Sequence, residues 1–277
     1  MLSVTDQSLP KTCRVPCRKT GVLLVHGLCG TPTEMRFIAN GLARAGAEVS
    51  CPTLAGHCGT EADLTATTWR DWYASAEAAL LDLCQRCDRV IVGGLSTGAV
   101  LGLMLAVRHP DKIAGLVLYS PTLWLNGRRV PWYAGLFRLV GTRGLASLFR
   151  FRAPEDFGIK DERLRTFIKG ALAAPGVPVA TPGIAVLERQ WLVDAVLPEI
   201  RSITTPVLML HPREDDYADL SNASFLQRTL GGPVDLVVLD DCYHLITVDR
   251  QRGLVLDRTQ AFLDRLGLAG AQSRRAA

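Results

Sequence analysis

The chain has 277 residues, 48% apolar and 21% charged, a length and composition suited to one large α/β domain with room for an inserted subdomain. Its formal charge of +4 comes mainly from arginines scattered along the chain, without a dense basic block or an interleaved aromatic pattern, which argues against nucleic-acid binding. Met1–Arg18 lacks the apolar run of a signal peptide, so a cytoplasmic location is the default expectation. The eight cysteines are even in number, but in a long chain not marked for export they are expected as free thiols acting as small hydrophobes. Cys84-Gln-Arg-Cys87 has the spacing of a metal pair without a second such pair to complete a zinc site, and no metal is expected.

Residues 1–20 are polar and proline-punctuated, with room for a short strand or two. Gly21–Val25 reads as a strand and His26–Pro32 as the Gly/Pro loop after it. Thr33 is placed to cap a helix that runs to about Ala45 and ends at Gly46. Ala47–Cys51 is a further strand, and Pro52–Leu64 reads as loop. From Trp69 to Arg86, Trp72, Ala76, Ala79, Leu80 and Leu83 recur at helical spacing.

Val90, Ile91 and Val92 form a buried strand, Gly94-Leu-Ser-Thr-Gly98 a sharp turn, and Ala99–Val107 a helix. The uncharged run Val90–Val107 is also about long enough to cross a membrane, but its glycines, serine and threonine fit the strand-turn-helix better. Ile113–Tyr119 is another strand, stopped by Ser120-Pro121. This alternation implies a parallel sheet with helices on both faces.

The rhythm breaks over residues 121–200, where helical patterns occur and no strand is evident. Trp132, Tyr133, Leu136, Phe137 and Val140 share one face, a second helix spans Asp161–Ala173, a Pro/Gly linker Pro175–Pro182, and a third helix Ile184–Val196. The stretch reads as an all-helical cap over an active site, set into a core of residues 1–120 and 201–277. The aromatic stripe suits either core or ligand surface, and Arg138, Arg143, Arg150 and Arg152 leave an interfacial position open. The rhythm then resumes with a strand at Pro206–Leu210, an acidic loop at His211–Asp219, a helix at Leu220–Leu230, a last strand at Val234–Leu239, a loop at Asp240–His244 and a final helix at Leu254–Leu266. Ala269–Ala277 is expected to be a disordered tail.

The pattern G-x-S-x-G at residues 94–98 carries the chemistry. A serine hydroxyl attacks a carbonyl only when a base takes its proton, and a tight turn exposes it to that base. A base and a group that orients it should also follow strands, because functional groups in α/β sheets gather beyond the strands' carboxyl ends. His244 and Asp215 meet that condition in the order Ser, Asp, His. Asp216 is the neighbouring alternative for the acid, whereas Asp240 and Asp241 follow the wrong strand. His26 is expected to hold its loop, His57 to lie behind the site, His109 to sit at a helix end and His211 to be a satisfied core residue.

Five separate stretches in order resemble a known family. His26-Gly-Leu28, Gly56-His57, the serine turn, Arg213-Glu-Asp-Asp-Tyr217 and Tyr243-His-Leu-Ile-Thr-Val-Asp249 are similar to motifs of the α/β-hydrolase superfamily, in particular its bacterial carboxylesterases and monoacylglycerol lipases. The resemblance implies the α/β-hydrolase fold, a catalytic set of Ser96, Asp215 and His244, and an oxyanion hole from the amides of Leu28 and Thr97, with neither metal nor organic cofactor. Tyr243 departs from the glycine usual before the histidine and is expected to reshape the pocket mouth. The implied activity is hydrolysis of medium acyl esters or monoacylglycerol-like substrates through an acyl-enzyme. Thioester hydrolysis or acyl transfer on the same residues, and a non-catalytic ligand-binding protein on this fold, remain alternatives. The expected partner is a small acyl ester or thioester, with no stable membrane insertion.

Overall fold

The computed structural model describes residues 19–130, 132–152, 156–172 and 180–268. The expected tail, most of the polar N-terminal stretch and much of the Pro/Gly linker lie outside these residues.

Six strands form one sheet, β1 (Thr20–Val25), β2 (Glu48–Ser50), β3 (Arg89–Leu95), β4 (Ile113–Tyr119), β7 (Val207–Pro212) and β8 (Val234–Leu239), in the order β2-β1-β3-β4-β7-β8. Every neighbouring pair is parallel, with registers such as Val22 opposite Ile91 and Leu118 opposite Met209. Side chains alternate between two layers, as the strand period of two requires. Leu23, Val25, Val90, Val92, Leu116, Leu118, Val207 and Met209 meet the helices α3 (Trp69–Arg86), α4 (Thr97–Arg108), α7 (Gly183–Val196) and α8 (Leu220–Thr229). Val22, Leu24, Ile91, Val117, Tyr119, Leu208 and Leu210 meet α1 (Arg36–Arg44) and α9 (Arg252–Arg265) on the other face. Burial on both faces explains why these strands read as continuous apolar runs. The run considered as a membrane span is β3, a turn and α4, and no helix among the described residues is long and apolar enough to cross a membrane. Cys84 and Cys87 are free thiols packed against the core.

Several local expectations change. Thr31, not Thr33, caps the helical segment after β1, because Pro32 takes the first position of a 3-10 turn (Pro32–Met35) that precedes α1. The stretch read as loop between residues 52 and 64 ends in α2 (Glu61–Ala66), started by a reciprocal pair in which the Asp63 amide donates to Thr60 Oγ1 and the Thr60 amide to Asp63 Oδ2.

The stretch between β4 and β7 is not wholly helical. It holds α5 (Arg143–Ala146) and α6 (Glu162–Leu172), but β5 (Arg150–Arg152) pairs antiparallel with β6 (Ala180–Pro182). Three-residue strands are too short to show a period in sequence. Trp132–Leu139 is a 3-10 run, which spoils the face expected of an α-helix. Phe137 packs inward against Phe149 and Phe151, while Leu136 and Leu139 are exposed. Helix α7 serves two clusters. Ala185, Leu192, Val193 and Val196 join the core, and Val186 and Leu187 join Phe137 and Ala146.

Trp72 is fully buried, and its indole donates to Thr67 Oγ1 at 2.9 Å, tying α3 to the loop before it. Trp72→Ala is expected to cost about 3–5 kcal/mol of unfolding free energy, measured by urea denaturation.

Candidate active site

Ser96 sits where β3 turns into α4, with φ 55° and ψ −112°. That conformation is strained for a residue with a Cβ. The turn closes only because of two glycines. A Cβ on Gly94 would run into the Gly98 carbonyl, and one on Gly98 into the Val25 carbonyl. The Ser96 amide donates to the Tyr119 carbonyl at 2.9 Å, which ties the turn to β4.

His244 lies in the loop after β8. Asp249 holds that loop by accepting from the amides of Tyr243, Lys160 and Asp161, and Ser120 Oγ donates to the His244 carbonyl at 2.7 Å. His244 Nδ1 lies 2.9 and 2.8 Å from the two carboxylate oxygens of Asp215. Asp215 follows β7, and its Oδ1 also accepts from the amides of Tyr217 and Ala218. The neighbouring Asp216 instead accepts the His244 backbone amide at 3.3 Å, so the imidazole is oriented by Asp215. Asp240 pairs with Arg213, and Asp241 with Lys160 and Arg250.

Charge sets His244 apart from the other buried histidines. Burial lowers the pKa of His26 to about 4 and also depresses those of His57 and His211. Burial opposes the charged form of His244 too, but the Asp215 carboxylate outweighs it and raises the pKa above the ordinary 6.5. Asp215 resists its own burial through the same pairing and is held below the usual carboxylate range. Burial pushes Asp216 up to about 6. His26 holds its loop as expected, because its Nε2 accepts from the Leu54 amide and its Nδ1 donates to the Gly27 carbonyl. His57 stacks edge-on between His26 and Trp72. His109 pairs with Glu77. His211 lies against the Ala218 carbonyl at 2.8 Å, with its Nδ1 unpartnered.

Ser96, Thr97, Leu28 and His244 all open on one cavity of about 770 Å³, within the size range of small-molecule sites. Among the described residues, the amides of Leu28 and Thr97 donate to no protein acceptor. Ser96 Oγ donates to Thr122 Oγ1 at 3.3 Å rather than to His244. Much of the wall is apolar, including Leu123, Trp124, Phe137, Phe151, Val186 and Val193. Tyr243 is not part of it, because its ring lies under Arg128 and Lys160.

Three residues at the site escaped the sequence. Thr122 follows β4 and touches Ser96 Oγ, and could have been found as a polar residue just past a strand's carboxyl end. Arg189 interrupts the apolar face of α7, a visible signal whose direction was not. Glu34 resembled an ordinary first-turn acid. In the fold its carboxylate accepts the Gly27 amide at 3.2 Å and burial pushes its pKa up to about 7.

A parallel sheet with a strained serine after its third strand, and a histidine–aspartate pair after its last two, defines an α/β-hydrolase. The chain belongs to the alpha/beta hydrolase family, whose model matches residues 22–258. Within that family it is of the lipase and esterase type. It is similar to the thermostable monoacylglycerol lipase of Bacillus sp. strain H-257, 31% identical over 87% of this chain and 89% of that protein. It also resembles the carboxylesterase of Bacillus subtilis strain 168, 24% identical over 88% of this chain and 92% of that one. Among solved structures, one described with LipS and LipT, two metagenome-derived lipolytic enzymes, superposes with a TM-score of 0.75 at 28% identity, covering 90% of this chain and 95% of that one.

In a histidine NMR titration, the His244 imidazole is expected to keep its proton to a higher pH than the ordinary 6.5, and Asp215→Asn to move that midpoint down.

Proposed function

We propose that the chain hydrolyses carboxylic esters through an acyl-enzyme on Ser96. The observation that carries the proposal is the His244–Asp215 pair opening, with the strained Ser96, on one cavity. His244 takes the Ser96 proton as Oγ bonds to the ester carbonyl carbon. The amides of Leu28 and Thr97 receive the oxyanion, and each such donor is typically worth about 2.7–4 kcal/mol. As the carbonyl re-forms, the bond to the alcohol breaks and His244 returns the proton to it. A water then gives a proton to His244 and attacks the acyl-enzyme, and the acid leaves as the proton passes back to Ser96. Asp215 fixes the imidazole tautomer and stabilises the imidazolium.

The reaction needs the Ser96 hydroxyl, which donates to Thr122, to turn toward His244, and such contacts commonly tighten when substrate binds. Residues 121–200 act as the cap on a core of 1–120 and 201–277, since the cavity is lined from both. The apolar wall supports a medium acyl chain, and the monoacylglycerol lipase relative supports monoacylglycerol-like esters.

Ser96→Ala is expected to reduce p-nitrophenyl ester hydrolysis by roughly 10⁴–10⁶-fold while leaving the folded circular-dichroism spectrum unchanged. A fluorophosphonate probe should label the wild-type chain and not the variant. Retention of most turnover by Ser96→Ala would remove Ser96 from the chemistry.

A further inference from the structure

Arg189 of α7 is 5% exposed and lies in the cavity wall. Its neighbour Glu188 is also buried, but it pairs with Arg143 and accepts the Trp69 amide. Arg189 has no comparable compensation. One of its terminal nitrogens donates to the Thr122 carbonyl at 2.5 Å, and among the described residues its Nε–H has no hydrogen-bond partner and no carboxylate lies within 4.0 Å of it. Burial draws its pKa down to about 10, with exposed Asp194 the charge that opposes the fall. The guanidinium therefore stays protonated near neutrality. A buried charge without a counter-charge is costly, and natural cores seldom keep one without a use.

Its position suggests the use. Thr122 accepts from Ser96 Oγ through its side chain and from Arg189 through its carbonyl, so one residue separates the guanidinium from the nucleophile. Other charges on the wall lean the same way. Arg138 and Arg152 are exposed there, while Arg129 is matched by Asp156. The opposing acids on the wall are Glu34, which is half neutral near pH 7, and Asp194.

We propose that Arg189 is a specificity-determining residue that receives a carboxylate on the substrate, so that the preferred ester carries an acid group close to the scissile carbonyl. The chemical class is a half-ester of a dicarboxylic acid, or an ester of a short hydroxy acid. A carboxylate supplies the missing counter-charge and accepts charge-assisted hydrogen bonds from the guanidinium. The inference rests on the esterase reading and narrows its substrate.

Matched ester pairs test it with the full-length chain. Monomethyl glutarate is compared with methyl pentanoate for an acid on the acyl side, and 3-(butanoyloxy)propanoate with propyl butanoate for one on the alcohol side. For at least one pair the anionic member is expected to have a kcat/KM about tenfold or more above its neutral partner, expressed in KM. Arg189→Gln should remove that preference and Arg189→Lys should restore part of it. Arg189→Met should raise the unfolding temperature, since it removes an uncompensated buried charge. Equal or inverted preference in the wild type, or a preference unchanged in Arg189→Gln, overturns the proposal. If no ester is turned over, the esterase reading falls separately, and calorimetry with glutarate decides the anion site. Binding by the wild type that is lost in Arg189→Gln supports it, and absence of binding by the wild type overturns it.

Discussion

The backbone strain at Ser96 is the constraint to which the surrounding structure is fitted. A serine at φ 55° persists only where neighbours over-determine it, and here they do. Its amide is fixed to β4, and the glycines on either side let β1, the turn and α4 approach to backbone contact. Any side chain at Gly94 or Gly98 would push the turn open. In the sheet β3 lies between β1 and β4, and both neighbours brace the turn. Among the described residues the same turn leaves the Thr97 amide without an acceptor at the start of α4, where the helix dipole adds to it.

The histidine loop is braced differently, through hydrogen bonds instead of close packing. Asp249 gathers amides from two segments, Ser120 holds the His244 carbonyl, and Asp216 takes the His244 amide. With the backbone held from three sides, the imidazole meets Asp215 at a fixed angle. Burial drives His26, His57 and His211 toward neutrality, and a single carboxylate reverses the outcome at His244. Among buried groups of one kind, the partner decides the charge.

Helix α7 contributes to two apolar clusters. One stripe of it packs on α4, another meets Phe137 and Ala146, and between them it carries two buried charges. Glu188 is matched within the fold by Arg143. Arg189 lines the cavity, and among the described residues it bonds only to the carbonyl of Thr122, whose hydroxyl accepts from Ser96.

The parallel sheet, its flanking helices and the serine turn were legible in the sequence because each rests on local chemistry: apolar β-branched runs, helical spacing, and glycines flanking a serine. His244 and Asp215 were legible because each follows a strand, and Asp216 stayed open beside Asp215 because both occupy the same loop. Their separation came from the fold, in which one aspartate faces the imidazole ring and the other the backbone. The β5–β6 pair, the 3-10 run at Trp132–Leu139 and α2 left little trace, being too short for periodicity to register. Glu34, Thr122 and Arg189 became part of the site only through contacts between residues far apart in the chain. Sequence determined which segments are strand, turn and helix, since those preferences act over a few residues. Which polar groups share the cavity, and which of them lack a partner, was decided by tertiary packing, because burial and counter-charge are properties of neighbours in space.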